Sequence, residues 1–230
     1  MKAIALTLMT AFVCTTAPAA GSKEAFTDTF AVDKADLASA GTNRFFILAP
    51  RFQSVLEGEE GGKHIVLTIT VLNETRLVDG VETRIVEERE TADGQPVEIS
   101  RNYFAISRRT GDVFYFGEDV DMYRDGKVTS HDGAWLSGVG GARFGLQMPG
   151  TPLLGARYYQ EVAPKVAMDR AEVKSLGDKL ETPAGRFENC LNTDETSALE
   201  SAREVKIYAP GIGLVFDGAL KLTKHGYTSQ

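Results

Sequence analysis

Residues 113–135 read VFYFGEDVDMYRDGKVTSHDGAW, and the fold class turns on them. Side chains two apart on an extended backbone share a face. Phe114, Phe116, Val120 and Met122 therefore fall on one side, and Tyr115, Asp119, Asp121, Tyr123 and Asp125 on the other. Apolar side chains gain about 25 cal/mol per Å² by leaving water, whereas carboxylates need water or a neutralising cation. The stretch is expected to be a strand with a core side and an acidic side, ended by the Asp125-Gly126 turn.

Upstream, KHIVLTITVLN (residues 63–73) places Ile65, Leu67, Ile69 and Val71 on one face and is rich in β-branched residues, the pattern of a half-buried strand. Turn signals then recur at Asp79-Gly80, Asp93-Gly94, Gly111-Asp112 and Asp125-Gly126. Asp-Gly tolerates the positive φ angles of tight hairpins, so segments 83–90, 97–108 and 113–123 read as successive strands of an antiparallel meander. Downstream, strands are predicted at 157–162, 166–176 and 220–227. Two more hairpins are predicted about Pro183-Ala184-Gly185 and Pro210-Gly211. Residues 137–150 carry five glycines and read as a loop. The predicted class is mostly β with little helix: a single antiparallel, strongly curved sheet or partly closed barrel with meander connections. It spans residues 45–230, behind a polar leader at 20–44 in which Asp33 caps a short helical turn.

Residues 1–19 have the build of a signal peptide, with Lys2, an apolar run and Ala17-Pro18-Ala19. Phe12 and Val13 stand where lipid attachment at Cys14 would need small residues. The apolar run is too short to span a bilayer, and no later run reaches the roughly 20 residues required. The expected location is therefore outside the cytoplasm, periplasmic or extracellular, with no transmembrane segment. Removing 19 of the 230 residues leaves 211, with 24 basic and 32 acidic side chains and a net charge of −8. That balance argues against nucleic acid and anionic membrane surfaces as partners. Cys190 would be the one remaining cysteine, so no intramolecular disulfide is expected.

The ordered series YFGEDVDMYRDGKV (115–128), GAW (133–135), MPGTPLLGARYYQE (148–161), TPAGRFENC (182–190) and YAPGIGLV (208–215) resembles a widespread family of uncharacterised secreted bacterial proteins, over roughly residues 45–215. That family has no established activity, so the resemblance implies export and a β-rich fold and carries no site residues with it. The chain is also broadly similar to curved-sheet periplasmic proteins of the lipoprotein-carrier kind, a likeness of fold that says little about function.

Three chemistries fit parts of this pattern. Tyr103, Phe104, Phe114, Phe116, Met122 and Trp135 are candidates to line a cavity for an apolar small molecule or lipid, since curved sheets and barrels host such cavities. This yields the leading expectation, a non-enzymatic binding protein. Asp121, Asp125 and Asp132, with Asp119 beside them, follow calcium-loop spacing with Gly126 at the sharp turn. The alternative is thus a calcium- or metal-binding module, with Tyr123 at a ligand position and Asp132 in place of a longer Glu as departures. A hydrolase is least supported: no nucleophile elbow exists, no base lies near Cys190 in sequence, and His64, His131 and His225 show no ligand spacing. Glu118, in phase with the apolar face, is the acid expected to have a raised pKa. Deep burial of Glu118 beside a cavity would favour acid–base chemistry.

Overall fold

The structure, a computed structural model, describes residues 25–201 and 203–229. The expected signal peptide at 1–19 lies outside the described residues. A single 3₁₀ turn at Lys34–Asp36 is capped by Asp33, whose side chain accepts the Ala35 N–H at 3.0 Å. The short strand β1 (Leu37–Ala38) follows. A run of antiparallel hairpins then comprises β2 (Phe52–Glu60), β3 (Lys63–Val78), β4 (Val81–Ala92), β5 (Gln95–Ser107), β6 (Val113–Arg124) and β7 (Lys127–Ser130). Asp79-Gly80, Asp93-Gly94 and Asp125-Gly126 each have positive φ at both residues, the geometry that lets two-residue turns follow the twist of the strands they join.

The second half holds β8 (Trp135–Leu136), β9 (Arg143–Met148), β10 (Arg157–Tyr159), β11 (Glu161–Val162), β12 (Asp169–Thr182), β13 (Gly185–Ser197), β14 (Arg203–Ala209), β15 (Gly213–Asp217) and β16 (Leu220–Tyr227). All the strand pairs are antiparallel, in the order β10-β12-β13-β14-β15-β16-β2-β3-β4-β5-β6-β9-β11. The two ends of that order are one stretch of chain. Residues 157–159 pair with β12, and two residues later Glu161 and Val162 pair with Phe144 and Arg143 of β9. A single extended segment thus reaches across both edges and nearly closes the sheet into a barrel. Among the described residues no helix is long and apolar enough to cross a membrane.

Two local expectations are corrected. The glycine-rich stretch 137–150 contains β9, paired with β6 on one side and β11 on the other. Gly145 is needed there because a Cβ would lie 2.4 Å from the carbonyl oxygen of Gln160, so the glycine marks a close crossing within a strand. The strict alternation of β6 also fails. Asn102 pairs with Glu118 and Phe104 with Tyr115, so one residue of β5, Tyr103, stands against two of β6, Phe116 and Gly117, which is a β-bulge. Gly117 sits in it at φ 133°, where a Cβ would be 2.4 Å from the Trp135 carbonyl oxygen.

The extra residue reverses the phase. Phe114 and Phe116 pack with Tyr103, Leu37 and Val78 on the face away from the barrel interior. Tyr115 turns inward with Phe104 and Trp135. Beyond the bulge, Glu118 and Val120 point inward and Asp119 and Asp121 outward, each opposite its neighbour on β5. Phe116 is fully buried, a contribution of about 2–3 kcal/mol, so this outer cluster is itself part of the fold's stability.

Candidate functional site

The barrel interior is apolar in two separate clusters. On β4, Val86 belongs to one and Ala92 to the other. Between them, in the same phase, stand Glu88 and Glu90. The matching inward positions of neighbouring strands are Glu98, Ser100 and Asn102 on β5, Glu118 on β6, Glu195 on β13, Lys206 on β14 and Asp217 on β15. An acidic belt therefore crosses the lumen where a small barrel would ordinarily be filled with apolar side chains.

The belt borders open space. A polar cavity of about 220 Å³ is lined by Glu88, Glu98, Glu118, Glu161, Asp169 and Glu195, with Lys206 the one basic residue among its described walls. An apolar chamber of about 100 Å³, walled by Phe45, Phe46, Phe52, Phe104 and Leu214, shares Glu88 and Lys206 with it. A wider polar recess of about 340 Å³ shares Asp169, Glu195 and Lys206 and reaches the exposed residues Glu200 and Arg203 at its rim. Lys206 keeps 24% of its side-chain surface although protein surrounds it, because that surface faces cavity space.

Lys206 is the electrostatic hub. Its Nζ lies 3.5 Å from Glu195, 3.5 Å from Asp217 and 3.9 Å from Glu204. Burial alone would lower its pKa, but Glu195, Asp217, Tyr208 and Glu204 outweigh burial and hold it well above the usual lysine range. One ammonium does not balance the belt. Burial pushes Glu88 up to about 7, with Asp217, Glu98 and Glu195 adding to the rise and Lys206 opposing it. Burial likewise pushes Glu118 up to about 8, Glu88 and Glu98 adding. Glu161 is raised well above the carboxylate range by burial and by Asp169, although its Oε1 accepts the Asp169 N–H at 2.6 Å. A hydrogen-bond chain fixes the Glu118 side of the cavity. The Tyr115 hydroxyl, which also bonds Glu118, donates to Asn102 Oδ1 at 2.5 Å, and Asn102 Nδ2 donates to Ser100 Oγ at 3.1 Å. Opposite, the Tyr208 hydroxyl donates to Glu195 at 3.1 Å.

Of the aromatic residues expected to line a ligand cavity, Phe104 walls both the apolar chamber and the polar cavity. Trp135 is buried in the interior cluster, edge-on to Tyr115 with ring centres 5.3 Å apart. Met122 is half-buried and opposite Glu98. Tyr103, Phe114 and Phe116 lie together on the outer face, a consequence of the Gly117 bulge and of the alternation along β5.

The four aspartates do not meet. Asp119 is paired with Arg76 and accepts a hydrogen bond from the Tyr103 hydroxyl at 2.6 Å. Asp121 lies 3.0 Å from His131 Nδ1 and 3.6 Å from Arg101. Asp125 occupies the hairpin turn at φ 53°, and Asp132 is exposed. Among the described residues no group of three or more His, Cys, Asp or Glu is placed to hold a metal. His64 lies beside Glu57 and Glu59, and His225 against Phe52 and Phe187. Cys190 is fully buried in an apolar cluster. Burial raises its thiol pKa, with Asp178 adding to the rise, which disfavours a reactive thiolate.

Glu88, Glu98, Glu161, Glu195, Lys206 and Asp217 were not anticipated from sequence. Their signal was phase: Glu88 and Glu90 stand two and four residues after Val86, on the apolar face of β4.

No family model matches the chain, and no curated protein matches it either. Two solved structures show a distant likeness. A lipoprotein candidate from Parabacteroides distasonis ATCC 8503 is 14% identical, with a TM-score of 0.38, covering 81% of this chain and all of that one. An exported-protein candidate with YmcC-like fold from Bacteroides fragilis NCTC 9343 is 14% identical, with a TM-score of 0.39, covering 80% of this chain and all of that one.

Proposed function

We propose that this chain is an exported binding protein that takes a small, partly apolar ligand into the lumen of its nearly closed barrel. The observation that carries the reading is the chambered interior. An aromatic-walled space of about 100 Å³ and a polar space of about 220 Å³ share Glu88 and Lys206, the mix of apolar wall and few polar groups that binding pockets use. The leader-like residues 1–19 support export. The apolar chamber is well below the few hundred Å³ of a typical ligand pocket, so the occupant is smaller than a long-chain lipid, with its polar end in the acidic belt.

Native mass spectrometry of the protein recovered after export tests the reading. The expected result is a retained non-covalent small molecule that is lost on unfolding. A bare chain, with no thermal shift from any small amphiphile, would overturn it.

A second reading rests on Glu118. A carboxyl raised to about 8 beside a cavity remains protonated at neutral pH and has the character of a general acid. Under that reading Glu118→Gln abolishes turnover of a captured ligand.

A further inference from the structure

Resting on lumen binding, we infer that the ligand carries a cationic nitrogen, an ammonium or guanidinium on a small apolar body. The nitrogen is held among Glu88, Glu98 and Glu118, and the body lies in the chamber walled by Phe52 and Phe104.

The chain's own chemistry supplies the first argument. Lys206 shows how the belt accepts an ammonium, since three carboxylates stand within 3.9 Å of its Nζ. The polar cavity is nonetheless lined by six carboxyl groups against that one lysine. Among the described residues, Glu88, Glu98 and Glu118 have no ion pair of their own, and Glu88 and Glu98 have no side-chain hydrogen bond either. Carboxyl groups enclosed in protein without a cation are costly when ionised, and here they face open space and not one another's partners. An entering cation would offset that cost. A neutral or anionic head would leave it or increase it.

Cavity geometry supplies the second. Glu88 borders the polar cavity and the aromatic chamber at once, so a head bonded to it has its substituent directed along Phe104, which walls both. The aromatic walls suit the apolar body.

The test compares three probes that share a phenyl body and differ in the head: 2-phenylethylamine, 2-phenylethanol and 3-phenylpropionate. Each is titrated calorimetrically at pH 7.5 into the full-length exported protein. The amine should bind about tenfold or more tighter than the alcohol, the scale of one charge-assisted hydrogen bond, and the carboxylate should give no saturable heat. Glu88→Gln and Glu118→Gln, both near-isosteric, should each weaken the amine about three- to tenfold and weaken the alcohol less. Melting curves of both variants confirm that they are folded.

Alcohol binding as tight as amine binding would overturn the cationic head while leaving lumen binding in place. Amine binding indifferent to both substitutions would place the nitrogen elsewhere and overturn the assignment. If no probe binds, the molecule retained in native mass spectra decides: a basic nitrogen in its composition supports the inference, and its lack overturns it. A chain that binds no probe and retains nothing fails the lumen reading itself, and this inference falls with it.

Discussion

Glu118 and Asp119 are chain neighbours with opposite surroundings, and they stand for the two faces of the wall. Asp119, on the outside, lies against Arg76 and the Tyr103 hydroxyl, and its neighbour Asp121 has Arg101 and His131. Glu118, on the inside, meets the Tyr115 hydroxyl and no cation among the described residues, and burial with Glu88 and Glu98 raises it to about 8. The outer acids are neutralised by partners, whereas Glu88 and Glu118 inside have no ion pair among the described residues, and burial raises their pKa values. Local sequence does not separate the two cases. The bulge at Gly117 does, by deciding which side chain faces the lumen.

The largest effect expected from this contrast is at Lys206, the cation at the hub of the lumen. Lys206→Met removes the charge facing Glu195, Asp217 and Glu204 and should cost about 3–5 kcal/mol at pH 8, the scale for breaking a buried pair from one side. The loss, read from urea unfolding, should shrink at pH 5.5, where the belt can take up protons instead. A loss under about 1 kcal/mol would mean that the lumen is as well solvated as the outer wall.

Gly117→Ala attacks the device that separates the faces. The new Cβ would sit 2.4 Å from the Trp135 carbonyl oxygen on a backbone at φ 133°, so the bulge must rearrange. A loss on the order of 3 kcal/mol is expected. Wild-type stability in the variant would show that the phase of β6 is set elsewhere.

Titration sharpens the contrast without mutation. Glu88 and Glu118 have folded values of about 7 and 8 against an ordinary 4.5, so the folded chain binds these protons more tightly than the unfolded chain. Each group's unfavourable contribution is absent below about pH 4.5, grows as pH rises through the folded value, and is constant above it. The protein should therefore melt higher at pH 5.5 than at pH 8.5, by about 2–4 °C for every kcal/mol of that contribution. Asp79 and Glu172 are displaced the other way, Asp79 by hydrogen bonds from Lys34 and Ser137 that outweigh burial, and Glu172 chiefly by its hydrogen bond with Arg157. They lose their contribution only below the ordinary carboxylate range, outside this window. Glu88→Gln should flatten part of the slope. An unchanged slope would assign the pH dependence to other groups.

The wall was far more legible in the sequence than the lumen. From Lys63 onward, β-branched alternation and Asp-Gly pairs marked β3 to β6, because a period of two and a turn needing two positive φ angles are both written in local residues. The phase of β6 was not, since a one-residue bulge reverses every later side chain and is recorded only in how Gly117 meets Trp135. For the same reason the aromatic candidates divided, with Phe104 and Trp135 inside and Tyr103, Phe114 and Phe116 outside. Gly145 hid β9, because a glycine demanded by close crossing of Gln160 has the same letter as one in a flexible loop. Closure through residues 157–162 depends on pairing with both β12 and β9, and the inner site depends on six strands converging. Glu118, an acid in phase with the apolar residues of β6, and the in-phase acids of β4 were the traces of it offered in advance.

The smallest expected effect is the outer counterpart, Asp119→Asn, and it is the one best able to break the contrast. The pair with Arg76 is partly solvated, with side-chain exposures of 36% for Arg76 and 51% for Asp119. Ion pairs of that kind contribute about 0.2–1 kcal/mol. The Tyr103 hydroxyl can still donate to the amide oxygen of Asn, and Arg76 keeps its contact with the Tyr103 ring, 4.6 Å from the guanidinium carbon. A loss below about 1 kcal/mol is therefore expected in urea unfolding. A loss approaching that of Lys206→Met would put the electrostatic weight of the fold on the outer wall. The unpaired lumen acids would then no longer be the feature that distinguishes the inside of this barrel from its outside.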